Sequence, residues 1–386
     1  MIAILDDKIE CKVDGARTHS IDMHLKKNHP EWTLEMYREK FPGEPLVSPL
    51  ALRTMNERNA AKSKAAVAVD ASAKIFGKQA FHEVFGVGRS QASTNKRGEP
   101  IMISVQQEHD PVGLIYIPDV DPNYVFPLDI VKTVLIGLEH SMPVYLWGYH
   151  GTGKTTCLQQ VAARTKRPFI RTQHTVNTEE AHILGQYVVR DGETKFQPGP
   201  LPVAMANGYV YCADEYDFAL PSVLSVYQPV LEGQPLMIKE APPEMRVIRP
   251  HPNFRFVATG NTNGGGDETG LYQGTQMQNA ANYSRFSITE EVLYMDKKIE
   301  AAVISAQSRI DKEDADNFVR FATEVRESFA RGTIGATISP RELIASAKIG
   351  ILRGSDWRTG IRQGFTARLS RVDKAAVDQY AQRIWG

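Results

Sequence analysis

Residues 148–155 read Gly-Tyr-His-Gly-Thr-Gly-Lys-Thr, an apolar run precedes them (PVYLW, 143–147), and a helical pattern follows. This meets the spacing G-x-x-x-x-G-K-[ST] in full, in the strand-to-helix setting that the spacing requires. Glycines let successive backbone N–H groups turn toward a phosphate chain, and the helix behind them adds its positive end. Lys154 is placed to bridge β- and γ-phosphates, and the Thr155 hydroxyl to hold Mg²⁺. Gly148, His150, Gly151, Thr152, Gly153 and Thr156 complete the expected phosphate-binding set.

Asp214 and Glu215 follow a second apolar run (YVYCA, 209–213). At the carboxyl edge of a sheet they would lie beside the first loop. Asp214 suits the outer shell of Mg²⁺, and Glu215 suits polarising a water for attack on the γ-phosphorus. A small-molecule kinase has no need of a base beside the metal carboxylate, so the pair points to hydrolysis of a nucleoside triphosphate. Asn261, ending FVATGN, is placed to orient the attacking water. Arg285, in NYSRFS, is a candidate arginine finger, and a finger supplied by a neighbouring subunit implies a ring. Arg341, in TISPREL, falls in the first turn of a helix from which it reaches back to the γ-phosphate as part of a lid.

A second group of chemistry-bearing residues lies near the start. Cys11-x-x-Asp14, nine residues to His24 and four more to His29 has the spacing of a zinc knuckle, with aspartate in place of the second cysteine. Leu34, Tyr37 and Phe41 share one helix face that can pack on it. Residues 1–46 carry seven Lys/Arg against nine Asp/Glu, a poor balance for phosphate contacts, so this module is expected to dock a protein rather than nucleic acid.

These residues need a framework, and the rest of the chain supplies one. Short β-rich runs at 143–147, 168–172, 209–213, 254–259 and 287–293 alternate with helical segments, which predicts an α/β fold with a parallel five-stranded sheet covered on both faces. Two hairpins interrupt this rhythm. One, 186–196, turns on Asp191-Gly192; the other, 235–248, turns on prolines. From about 297 the pattern is helical, with Phe318, Phe321, Val325 and Phe329 on one packing face. The expected domains are a small module (1–46), a linker (47–80), an ATPase core (81–296) and a helical lid (297–386). Lys/Arg and Asp/Glu balance at 45 each, so the whole chain has no polyanion-binding signature. Three cysteines cannot build a disulfide framework, and the start MIAILDDK is too acidic for a signal peptide. A cytoplasmic protein with no membrane span is expected.

Taken together, GYHGTGKTT, CADEYD, ATGN, the arginine before the fifth strand and SPR resemble the AAA+ ATPases of the MoxR and magnesium-chelatase branch. The runs IPDVDPNYVF, DEYDFALPSVL and GDETGLYQGTQ narrow the resemblance to the CobS type, over roughly residues 81–386. The resemblance implies ATP and Mg²⁺ as ligands, with Lys154 and Thr155 as Walker A and Asp214 and Glu215 as Walker B. It also implies Asn261 as sensor 1, Arg285 as the finger, Arg341 as sensor 2, and a hexameric ring. It further implies partners, a CobT-like protein with a von Willebrand-type domain and a CobN-like subunit that holds the corrinoid into which Co²⁺ is inserted. A MoxR-type chaperone serving another target through a CobT-like partner is the second reading, and a DNA-associated regulator the third. Residues 11–41 resemble a Ros/MucR-type zinc finger.

Overall fold

The computed structural model describes residues 7–53 and 75–386, which fall into two compact units divided between Lys74 and Ile75. Within the larger unit, the apolar runs become five parallel strands, β1 (Val144–Trp147), β2 (Phe169–Gln173), β3 (Val210–Asp214), β4 (Arg255–Gly260) and β5 (Ile288–Glu291). Their order across the sheet is β5-β1-β4-β3-β2. Every residue of β3 is buried, as expected for a central parallel strand with both faces covered. One face packs Tyr145, Tyr211, Tyr227 and Phe256 in a tyrosine-rich core. The other packs Val144, Leu146 and Val257 against the helices Leu128–His140 and Lys154–Arg164, the latter through Leu158 and Val161. With β4 between them, the carboxyl ends of β1 and β3 come to one edge, where open α/β sheets place their ligands.

Both hairpins form. Gly185–Arg190 pairs with Glu193–Pro198 around Asp191 and Gly192, and both turn residues have positive φ (54° and 77°), as a type I′ turn requires. The second is reduced to Leu236–Met237 against Val247–Ile248. The carboxyl-terminal helices Lys297–Ser308, Lys312–Ala330, Pro340–Leu352, Trp357–Gly364 and Arg371–Trp385 enclose their own core around Phe318, Phe321 and Val325. Phe329 is only partly buried there and instead sets its ring against the edge of Tyr149. Among the described residues no helix is long and apolar enough to cross a membrane.

One boundary is corrected. Residues 54–74 of the expected linker lie outside the described residues, but Phe76–Ala80 is a strand paired antiparallel with Met102–Gln106. Its sequence, FGKQA, shows little apolar alternation; the partner strand, the Arg167 guanidinium over the Phe76 ring (4.4 Å) and the Lys78 ion pair with Glu139 fix it. The ATPase unit therefore begins at about residue 75.

In the small unit, Ile9–Glu10 and Arg17–Thr18 form a short antiparallel pair, followed by helices Ile21–Asn28 and Leu34–Lys40. Cys11, Ile21, Leu25 and Tyr37 make its core, with Leu34 and Phe41 against them. Tyr37 also accepts a hydrogen bond from the Lys12 N–H (3.0 Å).

Candidate active site

The loop between β1 and its helix is shaped by glycines that other residues could not replace. Gly148 (φ 139°) lies so close to β5 that a Cβ would come within 2.5 Å of the Val292 carbonyl oxygen. At Gly151 (φ 71°) a Cβ would meet the Ser339 side chain at 2.4 Å, so the lid closes directly on the loop. Ser339 caps the helix carrying Arg341, through a reciprocal box with Glu342. The segment leading into the lid also reaches the loop, where the Tyr294 ring stacks on Tyr149 at 5.6 Å.

A cavity of about 310 Å³ opens at this edge. His150, Gly151, Gly153, Lys154, Thr155, Thr156, Asp214, Glu215, Asn261 and Arg341 all line it. Of the expected residues, Gly148, Thr152 and Arg285 do not line it. Lys154 Nζ donates to the carbonyls of Gly148 (2.7 Å) and Tyr149 (2.8 Å) and reaches Asn261 Oδ1 at 3.4 Å. Burial pushes the Lys154 pKa down to about 8, partly offset by the carboxylates of Asp217, Asp214 and Glu215.

Asp214 is almost fully buried. Its Oδ1 accepts from Thr155 Oγ1 (2.6 Å) and from the Thr259 hydroxyl, and its Oδ2 accepts from Arg171 Nε (2.7 Å). Glu215 takes a left-handed backbone (φ 53°), which ends β3 at a cost of roughly 1 kcal/mol for a residue with a Cβ. Its Oε2 accepts from Gln173 Nε2 (2.9 Å) and its N–H donates to Thr259 Oγ1 (3.2 Å). Asn261 is held through its backbone. Its N–H and that of Thr262 donate to Asp217 Oδ2 at 2.9 and 2.8 Å.

Thr155 Oγ1 and Asp214 Oδ1 are hard oxygen donors side by side, a set that fits Mg²⁺, which prefers few protein ligands and keeps several waters. The positive end of the helix and Lys154 suit a triphosphate.

Sequence reading missed Arg171, Gln173, Thr259, Asp217 and Tyr272. Arg171 and Gln173 alternate on the carboxyl end of β2, a period-two polar pair that was visible in FIRTQ. Tyr272 had no local signal. Its hydroxyl accepts from the N–H of His150 (2.9 Å) and so ties the glycine-rich run 264–274 to the phosphate loop.

Arg285 donates from Nε to Glu232 Oε1 (2.7 Å) and from Nη1 to the Ala281 carbonyl. It is a partly exposed ion pair and does not line the cavity.

The four residues nominated in the small unit do converge. Asp14 Oδ2 is 2.8 Å from His24 Nε2 and 2.9 Å from His29 Nε2. Ligand atoms of Cys11, Asp14 and His24 lie within 4.8 Å of one another. Zn²⁺ accepts sulfur, imidazole nitrogen and carboxylate oxygen in a four-ligand site, so the donor set fits it.

A phosphate chain requires the charged form of Lys154, which its burial disfavours, so binding must take up a proton once pH passes the pKa of about 8. Affinity for a non-hydrolysable ATP analogue is therefore expected to be flat below that pH and to weaken above it, by up to about tenfold per pH unit. Equilibrium titration across this range checks the prediction; an affinity that stays constant well above pH 8 contradicts it.

Comparison with known proteins places this geometry. Residues 143–286 match the AAA domain of the dynein-related subfamily, and residues 300–383 match the CbbQ/NirQ/NorQ C-terminal domain. The chain is 36% identical to aerobic cobaltochelatase subunit CobS of Sinorhizobium sp over 285 residues, 71% of this chain and 84% of CobS. It is 25% identical to the protein NorQ of Paracoccus denitrificans, over 53% of this chain and 72% of NorQ. Among solved structures, the Thermotoga maritima RuvB Holliday junction branch migration motor aligns with a TM-score of 0.39 at 14% identity, over 69% of this chain and 72% of that one. Neither family match reaches residues 1–46, so the resemblance of that module to a zinc finger has no support from them.

Proposed function

Because the chain belongs to the AAA+ ATPases of the CobS, NorQ and MoxR type, we propose that it hydrolyses ATP as a homo-oligomeric, hexameric ring and uses the energy to remodel a partner protein, as the CobS component of cobaltochelatase. The observation that carries this reading is the convergence of Lys154, Thr155, Asp214, Glu215, Asn261 and Arg341 on one cavity. Backbone N–H groups of the loop and Lys154 hold the β- and γ-phosphates. Thr155, with Asp214 beside it, would hold Mg²⁺, which would supply neutralisation of charge on the phosphate oxygens. Glu215, steadied by Gln173, takes the proton of the attacking water, and the Asn261 side chain orients that water. Arg341 contacts the γ-phosphate from the lid, while Arg285 of the neighbouring subunit completes the charge stabilisation.

In this role the ring works with a CobT-like von Willebrand-domain protein and a CobN-like subunit to insert Co²⁺ into a corrinoid. The test is reconstitution. MgATP, the chain and the two partner subunits are expected to metallate the corrinoid, and Lys154→Ala to abolish this. ATP hydrolysis with no metal insertion would overturn the chelatase role. That result would favour the second reading, a MoxR-type chaperone with a CobT-like partner and another target, which the match of the tail to the CbbQ/NirQ/NorQ C-terminal domain also favours.

For the small unit the reading is a zinc site formed by Cys11, Asp14, His24 and His29 in a module that docks a protein partner. Its support is that His24 and His29 both converge on the turn containing Cys11 and Asp14. Metal analysis of the full-length chain is expected to give one Zn²⁺ per chain, lost in the His24→Ala/His29→Ala double variant. A wild-type chain without zinc rules the site out and leaves an ion-paired histidine cluster.

A further inference from the structure

We propose that the hydroxyls of Tyr283 and Tyr145 form a relay that positions Arg285 according to the state of the sensor loop in the same subunit. Both tyrosines are then positioning residues for hydrolysis in the neighbouring subunit. The proposal rests on the reading of Arg285 as a finger acting in trans.

The relay is continuous and has a direction. Tyr145 Oη donates to the Thr262 carbonyl (2.7 Å), and Tyr283 Oη donates to Tyr145 Oη (2.9 Å). A phenol has one proton, so Tyr145, having given its own to Thr262, can only accept from Tyr283. Thr262 adjoins Asn261, and both backbone N–H groups sit on Asp217 Oδ2. The sensor end is therefore tied together, so that Asn261 and the Thr262 carbonyl move as one. At the other end Tyr283 closes the single turn Ala280–Tyr283, and the Arg285 N–H donates to the Asn282 carbonyl just before it. The backbone carbonyl of Asp217 also accepts from the Gln276 N–H (2.7 Å), in the segment leading into that turn. Asp217 thus holds the sensor loop with its side chain and the approach to the finger with its backbone.

The close approaches are specific to this wiring. A Cβ on Gly260 would come within 1.8 Å of Tyr145 Oη, and one on Gly264 within 2.8 Å of the Tyr283 ring. Burial pushes both phenol pKa values up, so the hydroxyls keep their protons. When Asn261 shifts to engage a γ-phosphate, the Thr262 carbonyl moves with it. A buried hydroxyl left without its partner is costly, so the Tyr145 and Tyr283 hydroxyls follow and carry the finger turn.

Aromatic packing alone would also bury these rings, since Tyr145 and Tyr283 meet edge to face at 5.0 Å. Tyr→Phe separates the two roles, because it keeps the packing and removes the relay. Wild-type subunits are mixed with increasing fractions of Glu215→Gln subunits carrying no second change, Tyr283→Phe or Arg285→Ala, and ATP turnover per wild-type subunit is followed. A Glu215→Gln subunit adds no hydrolysis but still presents its Arg285 to the next subunit. Adding Tyr283→Phe is expected to lower wild-type turnover a further fivefold or so at high dopant fraction, with the dopant's own nucleotide affinity unchanged. Tyr145→Phe should act the same way, and decides the matter if Tyr283→Phe subunits do not assemble. If the tyrosine dopant matches Glu215→Gln alone while the Arg285→Ala dopant is more severe, the relay is overturned and the trans finger stands. If all three curves coincide, the trans finger fails and the relay with it.

Discussion

Glu215→Gln is expected to lower ATP turnover by about 10²–10⁴ while leaving nucleotide affinity within about a factor of two. The amide keeps the size of the side chain and can still accept from Gln173 Nε2 through its carbonyl oxygen. What it loses is the ability to take a proton from water. Lys154, which would contact the phosphates, is held by Gly148 and Tyr149 and makes no bond to Glu215. Binding and chemistry should therefore separate cleanly. Phosphate release measured beside equilibrium binding of an ATP analogue checks both halves. Turnover at the wild-type rate removes Glu215 from the role of base.

Arg285→Ala is expected to cost about 10³–10⁵ in turnover, the range that arginine fingers supply, although Arg285 does not line the cavity. Its side chain makes a partly exposed pair with Glu232 and a bond to the Ala281 carbonyl, and such exposed pairs contribute only about 0–1 kcal/mol. The fold should therefore lose little stability. Glu232→Ala is the control, since it breaks the same ion pair but spares the guanidinium. A merely structural role for Arg285 predicts that the two substitutions act alike; a finger predicts that only Arg285→Ala silences turnover. Thermal melts should place both near the wild type.

Much of this site was legible in the sequence because its parts are local. The phosphate loop needs glycine at fixed offsets, and Asp214 and Glu215 end an apolar run whose burial on both faces dictates a central strand. The Asp191-Gly192 turn gave the first hairpin by its backbone requirement alone. The contacts that join these parts were not legible, because they depend on strand order. Arg171 and Gln173 reach Asp214 and Glu215 only because β2 pairs with β3. Thr259 does so because β4 lies on the other side of β3. Strand Phe76–Ala80 was read as linker for a similar reason, since its definition comes from a partner some twenty-five residues away. The cluster at Asp14 stands between these cases: spacing suggested the four donors, and the helix Ile21–Asn28 brings the two histidines to one oxygen.

The central claim is that each working site is shared between two copies of the chain, and mixing two inactive variants tests it most directly. Lys154→Ala subunits lack phosphate binding but keep Arg285; Arg285→Ala subunits keep the cavity but lack the finger. Each alone should assemble and show no turnover. Mixed in equal amounts, they are expected to recover hydrolysis, because some interfaces then pair an intact cavity with an intact Arg285. Co-assembled rings as inactive as either parent would contradict a site completed by the neighbouring subunit.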